Sequence, residues 1–158
     1  LMNQFLSILG FWGPYLLIIT TSFALILYNN EYLKIYLFFS VVGTIINSIL
    51  KSIIRQPRPR KQRHLYNFEH NQTHGQQFGM PSGHAQNVFY SLFTVLFKIP
   101  NMYFIIPTLL VACNTCWQRW VYRNHTIFQI LMGSITGILV FCIANEVSKF
   151  NFHRSIQF

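Results

Sequence analysis

The sequence predicts an all-α integral membrane protein, a single bundle of about five transmembrane helices with a candidate active site at one membrane face. Three observations lead there. Hydrophobic residues make up 52% of the 158 residues and charged residues only 9%, a balance unusual for a water-soluble domain. The apolar residues fall into segments of membrane-spanning length rather than short alternating runs. Polar residues within those segments recur at helical spacing, as on the inward faces of a bundle.

The first span runs from Phe5 to Tyr28, carries no charge, and contains Gly13-Pro14 as an expected kink. No basic n-region or small-residue cleavage site precedes it, so this run is expected to stay in the bilayer. Asn29-Asn30-Glu31 reads as a short turn. The second span, Tyr32 to Ile54, places Gly43, Asn47 and Lys51 on one face at four-residue steps, with Lys51 at its polar end. Residues 55–81 form a hydrophilic loop that opens with Pro57 and Pro59 and carries Arg55, Arg58, Arg60, Lys61 and Arg63.

The loop closes on Phe78-Gly79-Met80-Pro81-Ser82-Gly83-His84, a polar hinge leading into an apolar helix. Pro81 is expected to pre-set a first-turn angle, Ser82 to cap, Gly83 to admit a close neighbour, and His84 to stand one turn inside. The free N–H groups of such a helix start make an anion site. This third helix runs from about Ser82 to Lys98, short enough for a crossing to require tilt or a locally thin bilayer. A fourth span, Met102 to Trp117, contains Pro107 and ends in Trp117-Gln118-Arg119-Trp120, suited to an interface. The fifth, from about Thr126 to Val147, carries Gly133 and Gly137 in a close-packing pattern.

Counting spans puts the end of the second, the start of the third, the end of the fourth and the start of the fifth on one side. Lys51, Arg58, His84, Arg119 and His125 can therefore converge. Arg58 and Arg119 can fork onto phosphate oxygens while Lys51 adds a point charge. Backbone N–H groups near Ser82 and Gly83 could hold equatorial oxygens. One imidazole can attack phosphorus and the other protonate the leaving oxygen, so phosphoryl transfer through a phosphohistidine would need no metal or other cofactor.

The motifs are specific. Lys51 to Pro59 fits KxxxxxxRP, Pro81 to His84 fits PSGH, and Arg119 precedes His125 by six. Over residues 51–129, roughly half of a chain read as one domain (1–158), the sequence resembles the type 2 phosphatidic acid phosphatase superfamily of membrane lipid phosphatases. That resemblance implies phosphate binding by Lys51, Arg58, Ser82, Gly83 and Arg119, general-acid action by His84 and nucleophilic attack by His125. Two positions depart from the family's third motif, SRxxxxxHxxxD: Gln118 stands for its Ser and Gln129 for its Asp. Gln129 could accept the His125 ring N–H through its amide oxygen, but brings no charge.

The segments Met80 to Gln86 and His125 to Gln129 are similar to the GMPSxHxQ and HTxxQ patterns of the dolichyldiphosphatase branch, where Gln is usual; Arg58-Pro59-Arg60 is similar too. This closer resemblance implies removal of the terminal phosphate from a polyprenyl or dolichyl diphosphate at the lumenal face of the endoplasmic reticulum, recycling the lipid carrier used in protein glycosylation. Phosphatidic acid or another lipid monophosphate is the alternative substrate, and a non-catalytic scaffold the competing class. Two spans precede Lys51, where the better-known superfamily members have three.

The remaining features read more plainly. Twelve Lys and Arg against three Glu and no Asp give a net charge of +9, which argues against carboxylate-built cation sites. Eight cations lie on the site face and four on the other; setting aside three for phosphate leaves five against four, so charge does not fix sidedness. The run from Arg55 to Arg63 would alone read as a membrane-flanking loop, with no nucleic-acid partner expected. His64, His70 and His74 read as solvated loop histidines rather than a zinc site. Cys113 and Cys116 read as small residues one helical turn apart. Asn47, Asn87, Asn114 and Gln86 read as interhelical hydrogen-bonding groups. Oligomeric state is left open.

Overall fold

The computed structural model describes residues 4–66 and 78–156, with side chains as far as residue 150. The polypeptide forms five helices: α1 (Gln4–Tyr28), α2 (Asn30–Ile54), α3 (Gly83–Lys98), α4 (Met102–Val121) and α5 (Ile127–Ile156). The expected all-helical bundle is the observed one, with boundaries shifted where local chemistry overrides hydropathy. The turn expected at residues 29–31 contracts to Asn29, whose side chain accepts from the Tyr32 N–H at 3.3 Å and caps α2 directly. α4 continues through Trp117-Gln118-Arg119-Trp120, so these residues form its last turn rather than follow it. α5 runs past Val147 because nothing before residue 156 breaks it.

α2 stops at Ile54 for a local reason. Arg55 takes a left-handed conformation (φ 51°) and returns its N–H to the Lys51 carbonyl at 3.0 Å. Pro57 then disfavours further helix. The structure corrects the reading of the PSGH segment in two details. Pro81 lies before the cap, joined to Met80 by a cis peptide, and Ser82 is the N-cap, its hydroxyl accepting from the Ala85 N–H at 3.4 Å. His84 is thus the second helical residue, within the first turn rather than one turn inside.

α1, α2 and α5 are long and apolar enough to cross a membrane. The 16 residues of α3 extend only about 24 Å at 1.5 Å per residue, less than a hydrocarbon core of about 30 Å. α3 touches all four other helices, so this short helix is enclosed by its neighbours. Its tightest neighbour is α5. A Cβ added at Gly133 would collide with the Ser82 carbonyl oxygen, and one at Gly137 with the Gln86 carbonyl oxygen. The expected small-residue packing is therefore a backbone-to-backbone seam, and it sets α5 against the PSGH turn.

The distribution of polarity is that of a membrane protein. Ile19 is 68% exposed and Leu110 63% exposed, whereas Gln118 and Gln129 are wholly buried. At the end of the bundle away from the PSGH turn, Leu25, Tyr32, Tyr36, Phe39, Val95 and Ile99 belong to an apolar core. Tyr36 stacks on Tyr90 there, with ring centroids 5.1 Å apart, and its hydroxyl meets Ser91 Oγ at 2.8 Å. At the other end the interior is amide-rich. Asn47 Nδ2 donates to Gln86 Oε1 at 2.8 Å, and Gln86 Nε2 donates to the Gly43 carbonyl at 2.7 Å, which is the interhelical role expected of Asn47 and Gln86.

Candidate active site

Helix ends create the site. Lys51 comes from the last turn of α2, His84 from the first turn of α3, Arg119 from the last turn of α4 and His125 from the connection into α5. Arg58 comes from the loop after α2. That loop is tied to the hinge by an antiparallel bridge between Pro57 and Phe78 and by a 2.8 Å bond from the Gly79 N–H to the Gln56 carbonyl. All five predicted residues converge: Arg58, Lys51 and Arg119 act electrostatically on His125, and the same three cations with His125 act on His84. The described acidic residues, Glu31 and Glu146, sit near the opposite helix ends.

His125 is held by its local fold. α4 ends in a Schellman turn, in which the Arg123 N–H meets the Trp120 carbonyl at 2.9 Å and the Asn124 N–H meets the Arg119 carbonyl at 3.0 Å. The chain then re-enters helix through a capping box. The Thr126 hydroxyl accepts from the Gln129 N–H at 3.1 Å, and Gln129 Oε1 accepts from the Thr126 N–H at 3.2 Å. Between these two motifs the His125 ring is buried, with Nδ1 2.8 Å from the Gly79 carbonyl oxygen. A carbonyl only accepts, so Nδ1 carries the proton and Nε2 keeps its lone pair. Burial first, then Arg58, Lys51 and Arg119, hold this imidazole well below the usual histidine pKa, while the Gly79 carbonyl pulls the other way. These influences favour the neutral ring.

His84 is poised differently. Its Nε2 is buried without a hydrogen-bond partner among the described residues, a costly state for a polar atom unless a ligand completes it. Its ring lies 5.9 Å from that of Phe11, and the Arg119 guanidinium carbon lies 5.0 Å from the Phe11 centroid. Phe11 thus stands beside both groups. Sequence reasoning missed it, since α1 lies outside every motif and nothing marks this Phe among the sixteen in the chain.

Both departures from the motif have contacts. Gln118 Oε1 accepts from Arg119 Nε at 2.6 Å inside the bundle, so the residue in place of Ser orients the guanidinium. The expected hydrogen bond between Gln129 and the His125 ring is not formed; the Gly79 carbonyl takes that place. Gln129 Nε2 instead donates to Gln56 Oε1 at 3.0 Å and to the Pro57 carbonyl at 2.9 Å. It braces the loop that carries Arg58, a task that needs amide hydrogens no carboxylate has.

The anion cradle is narrower than expected. The Ser82 N–H is engaged by the Gln129 carbonyl at 3.0 Å, leaving Gly83 and His84 as the helix-start N–H groups unclaimed among the described residues. The Ser82 hydroxyl accepts from the Ala85 N–H, and Gly83 lies against Asn47. His64 is half-buried, while His70 and His74 lie outside the described residues. Among the described residues no cluster of His, Cys, Asp or Glu could hold a metal. Cys113 and Cys116 are free on α4.

Two comparisons place this arrangement. The protein-family model described as the PAP2 superfamily matches residues 32–152. The fold is similar to that of the crystal structure of a transmembrane PAP2-type phosphatidylglycerolphosphate phosphatase from Bacillus subtilis, with a TM-score of 0.70 and 18% identity over 94% of this chain and 77% of that one. A search of curated proteins gives no match. With the family match spanning most of the chain, this integral membrane protein belongs to the PAP2 superfamily of phosphatases.

Proposed function

We propose that this protein is a metal-independent lipid phosphatase that removes the terminal phosphate of a polyprenyl or dolichyl diphosphate through a phosphohistidine intermediate. The carrying observation is the pair of imidazoles: His125 presents a neutral Nε2 because Gly79 fixes its Nδ1, and His84 holds a buried Nε2 in need of a partner. Lys51, Arg58 and Arg119 hold the phosphoryl oxygens, with the N–H groups of Gly83 and His84 and the Ser82 hydroxyl supporting them. His125 Nε2 attacks the terminal phosphorus. An N–P bond forms as the bridging P–O bond breaks, its electron pair goes to the departing lipid monophosphate, and His84 gives that oxygen a proton. Water then attacks phosphorus, His84 takes a proton from it, and the N–P bond breaks to release phosphate.

The isoprenoid diphosphate is supported by the similarity of Met80 to Gln86 and of His125 to Gln129 to the dolichyldiphosphatase patterns. The same similarity supports a lumenal site in the endoplasmic reticulum. A second reading, a glycerophospholipid monophosphate substrate, is favoured by the activity named for the structurally similar Bacillus subtilis protein. Phosphate release by detergent-purified protein in chelator separates them, with a long polyprenyl diphosphate and phosphatidic acid as substrates and His125→Ala as blank. Preference for the diphosphate supports the proposal, and preference for phosphatidic acid supports the second reading. Release from neither by folded protein leaves a non-catalytic scaffold.

A further inference from the structure

A groove of about 730 Å³ opens beside the buried His125, and its lining includes Arg60, Arg123, Trp120, Ile127 and Phe128 as well as His125 itself. The two arginines have no part in the chemistry described above. Both are exposed, and among the described residues neither guanidinium forms a hydrogen bond or ion pair. Two links bring their loops together: the Arg63 N–H donates to the Tyr122 carbonyl at 2.8 Å, and Asn124 Nδ2 donates to the Arg63 carbonyl at 3.2 Å.

Arg123 also occupies an unusual backbone position. It is the left-handed residue of the Schellman turn, with φ 54°, where glycine is the favoured occupant. A positive charge near a helix C-terminus is favourable, but that benefit is open to any neighbouring position. Keeping a side chain at this strained one aims a guanidinium at the groove that leads to the nucleophile.

We propose that Arg60 and Arg123 form a second anion subsite, which holds the phosphate remaining on the lipid while Lys51, Arg58 and Arg119 hold the one transferred to His125. The first carbons of the lipid then lie across Trp120, Ile127 and Phe128. The inference rests on the phosphohistidine reading of the site and deepens it, since a lipid monophosphate has nothing to place between the two arginines. Charge complementarity and continuity of the groove with His125 favour the substrate's own phosphate over a surrounding headgroup as the occupant.

The test is an inhibition ratio measured on the full chain in neutral detergent. Methylenediphosphonate and orthophosphate are compared as inhibitors of phosphate release from p-nitrophenyl phosphate, and thermal stabilisation by the same two anions reads the ratio without turnover. The wild type is expected to favour the diphosphonate by about tenfold or more, and Arg60→Gln with Arg123→Gln to bring the ratio towards one, as befits loss of charge-assisted hydrogen bonds. Arg123→Gly relieves the left-handed position, so its thermal midpoint should be no lower than that of the wild type while the ratio still falls. A ratio unchanged in the double variant overturns the proposal, as do equal losses for both anions. It also falls if the double variant keeps the ratio but loses sensitivity to phosphatidylglycerol in the micelle, which would make the arginines headgroup contacts. Absence of turnover with an intact binding ratio would count against the catalytic reading while sustaining the subsite.

Discussion

The His125 imidazole is bound through Nδ1 to the Gly79 carbonyl at 2.8 Å, so a backbone oxygen from the PSGH hinge fixes the tautomer of a side chain 46 residues away. In the family's third motif an Asp follows the nucleophile by one turn; here that position is Gln129, and it faces elsewhere. The orientation of the His125 ring, the proposed nucleophile, therefore depends on where the hinge sits.

Gly79→Ala tests that dependence. A Cβ at Gly79 would come within 2.5 Å of Gln129 Oε1, so hinge and amide must move apart. A displacement near 1 Å at a reacting group costs about 100-fold. kcat should fall by roughly that factor with far less change in KM. A variant with wild-type kcat would show that the carbonyl does not set the ring.

His125→Ala should abolish turnover and covalent labelling by radioactive phosphate. His84→Ala should slow lipid substrates by about 10² to 10⁴ and activated aryl phosphates much less, because a good leaving group needs no proton. Equal losses on both ester classes would remove His84 from the acid role.

Gln129→Asp should weaken the protein rather than improve it. The substitution removes two hydrogen-bond donors and leaves the Pro57 carbonyl without this partner, at a cost of about 1–3 kcal/mol. Arg58 should bind phosphate less well as its loop loosens. Denaturation midpoints and KM measure the two effects, and a stable variant with enhanced monophosphate activity would contradict the bracing role.

Gln118→Ala removes the acceptor for Arg119 Nε inside the bundle. Expected consequences are a loss of about 1–3 kcal/mol in stability and a raised KM, since the guanidinium is no longer held. Unchanged KM would mean that the Gln118 amide does not position Arg119.

The pH dependence follows from His125. In the proposed mechanism the neutral ring is the nucleophile, and burial with three nearby cations lowers its pKa well below the usual value. In the free enzyme the acid limb of kcat/KM due to this group should lie below about pH 6.5, the ordinary histidine value. Bound phosphate offsets the cations, so the corresponding limb of kcat should lie at higher pH. For stability, the unfolded state binds this proton more readily than the folded one. The contribution of His125 is fully present above about pH 6.5 and is lost as pH falls towards the folded value. A kcat/KM limb assigned to His125 above that pH would refute its depressed pKa.

Much of this architecture was legible along the chain. Hydropathy gives the five helices because lipid makes span length a property of composition. Counting spans brings Lys51, Arg58, His84, Arg119 and His125 to one face, since helix ends alternate sides whatever the packing. The small residues Gly133 and Gly137 announce a close seam, though not that α3 is the partner. What sequence could not supply were the contacts between side chains and backbone far apart in the chain. Phe11 beside His84, Gly79 on Nδ1, Gln118 holding Arg119 and Gln129 holding the Arg58 loop depend on distances and angles that only the packed bundle defines. Hydrogen bonds are short-ranged and directional, so a motif can specify which groups meet while tertiary structure alone decides which atom of each faces the other.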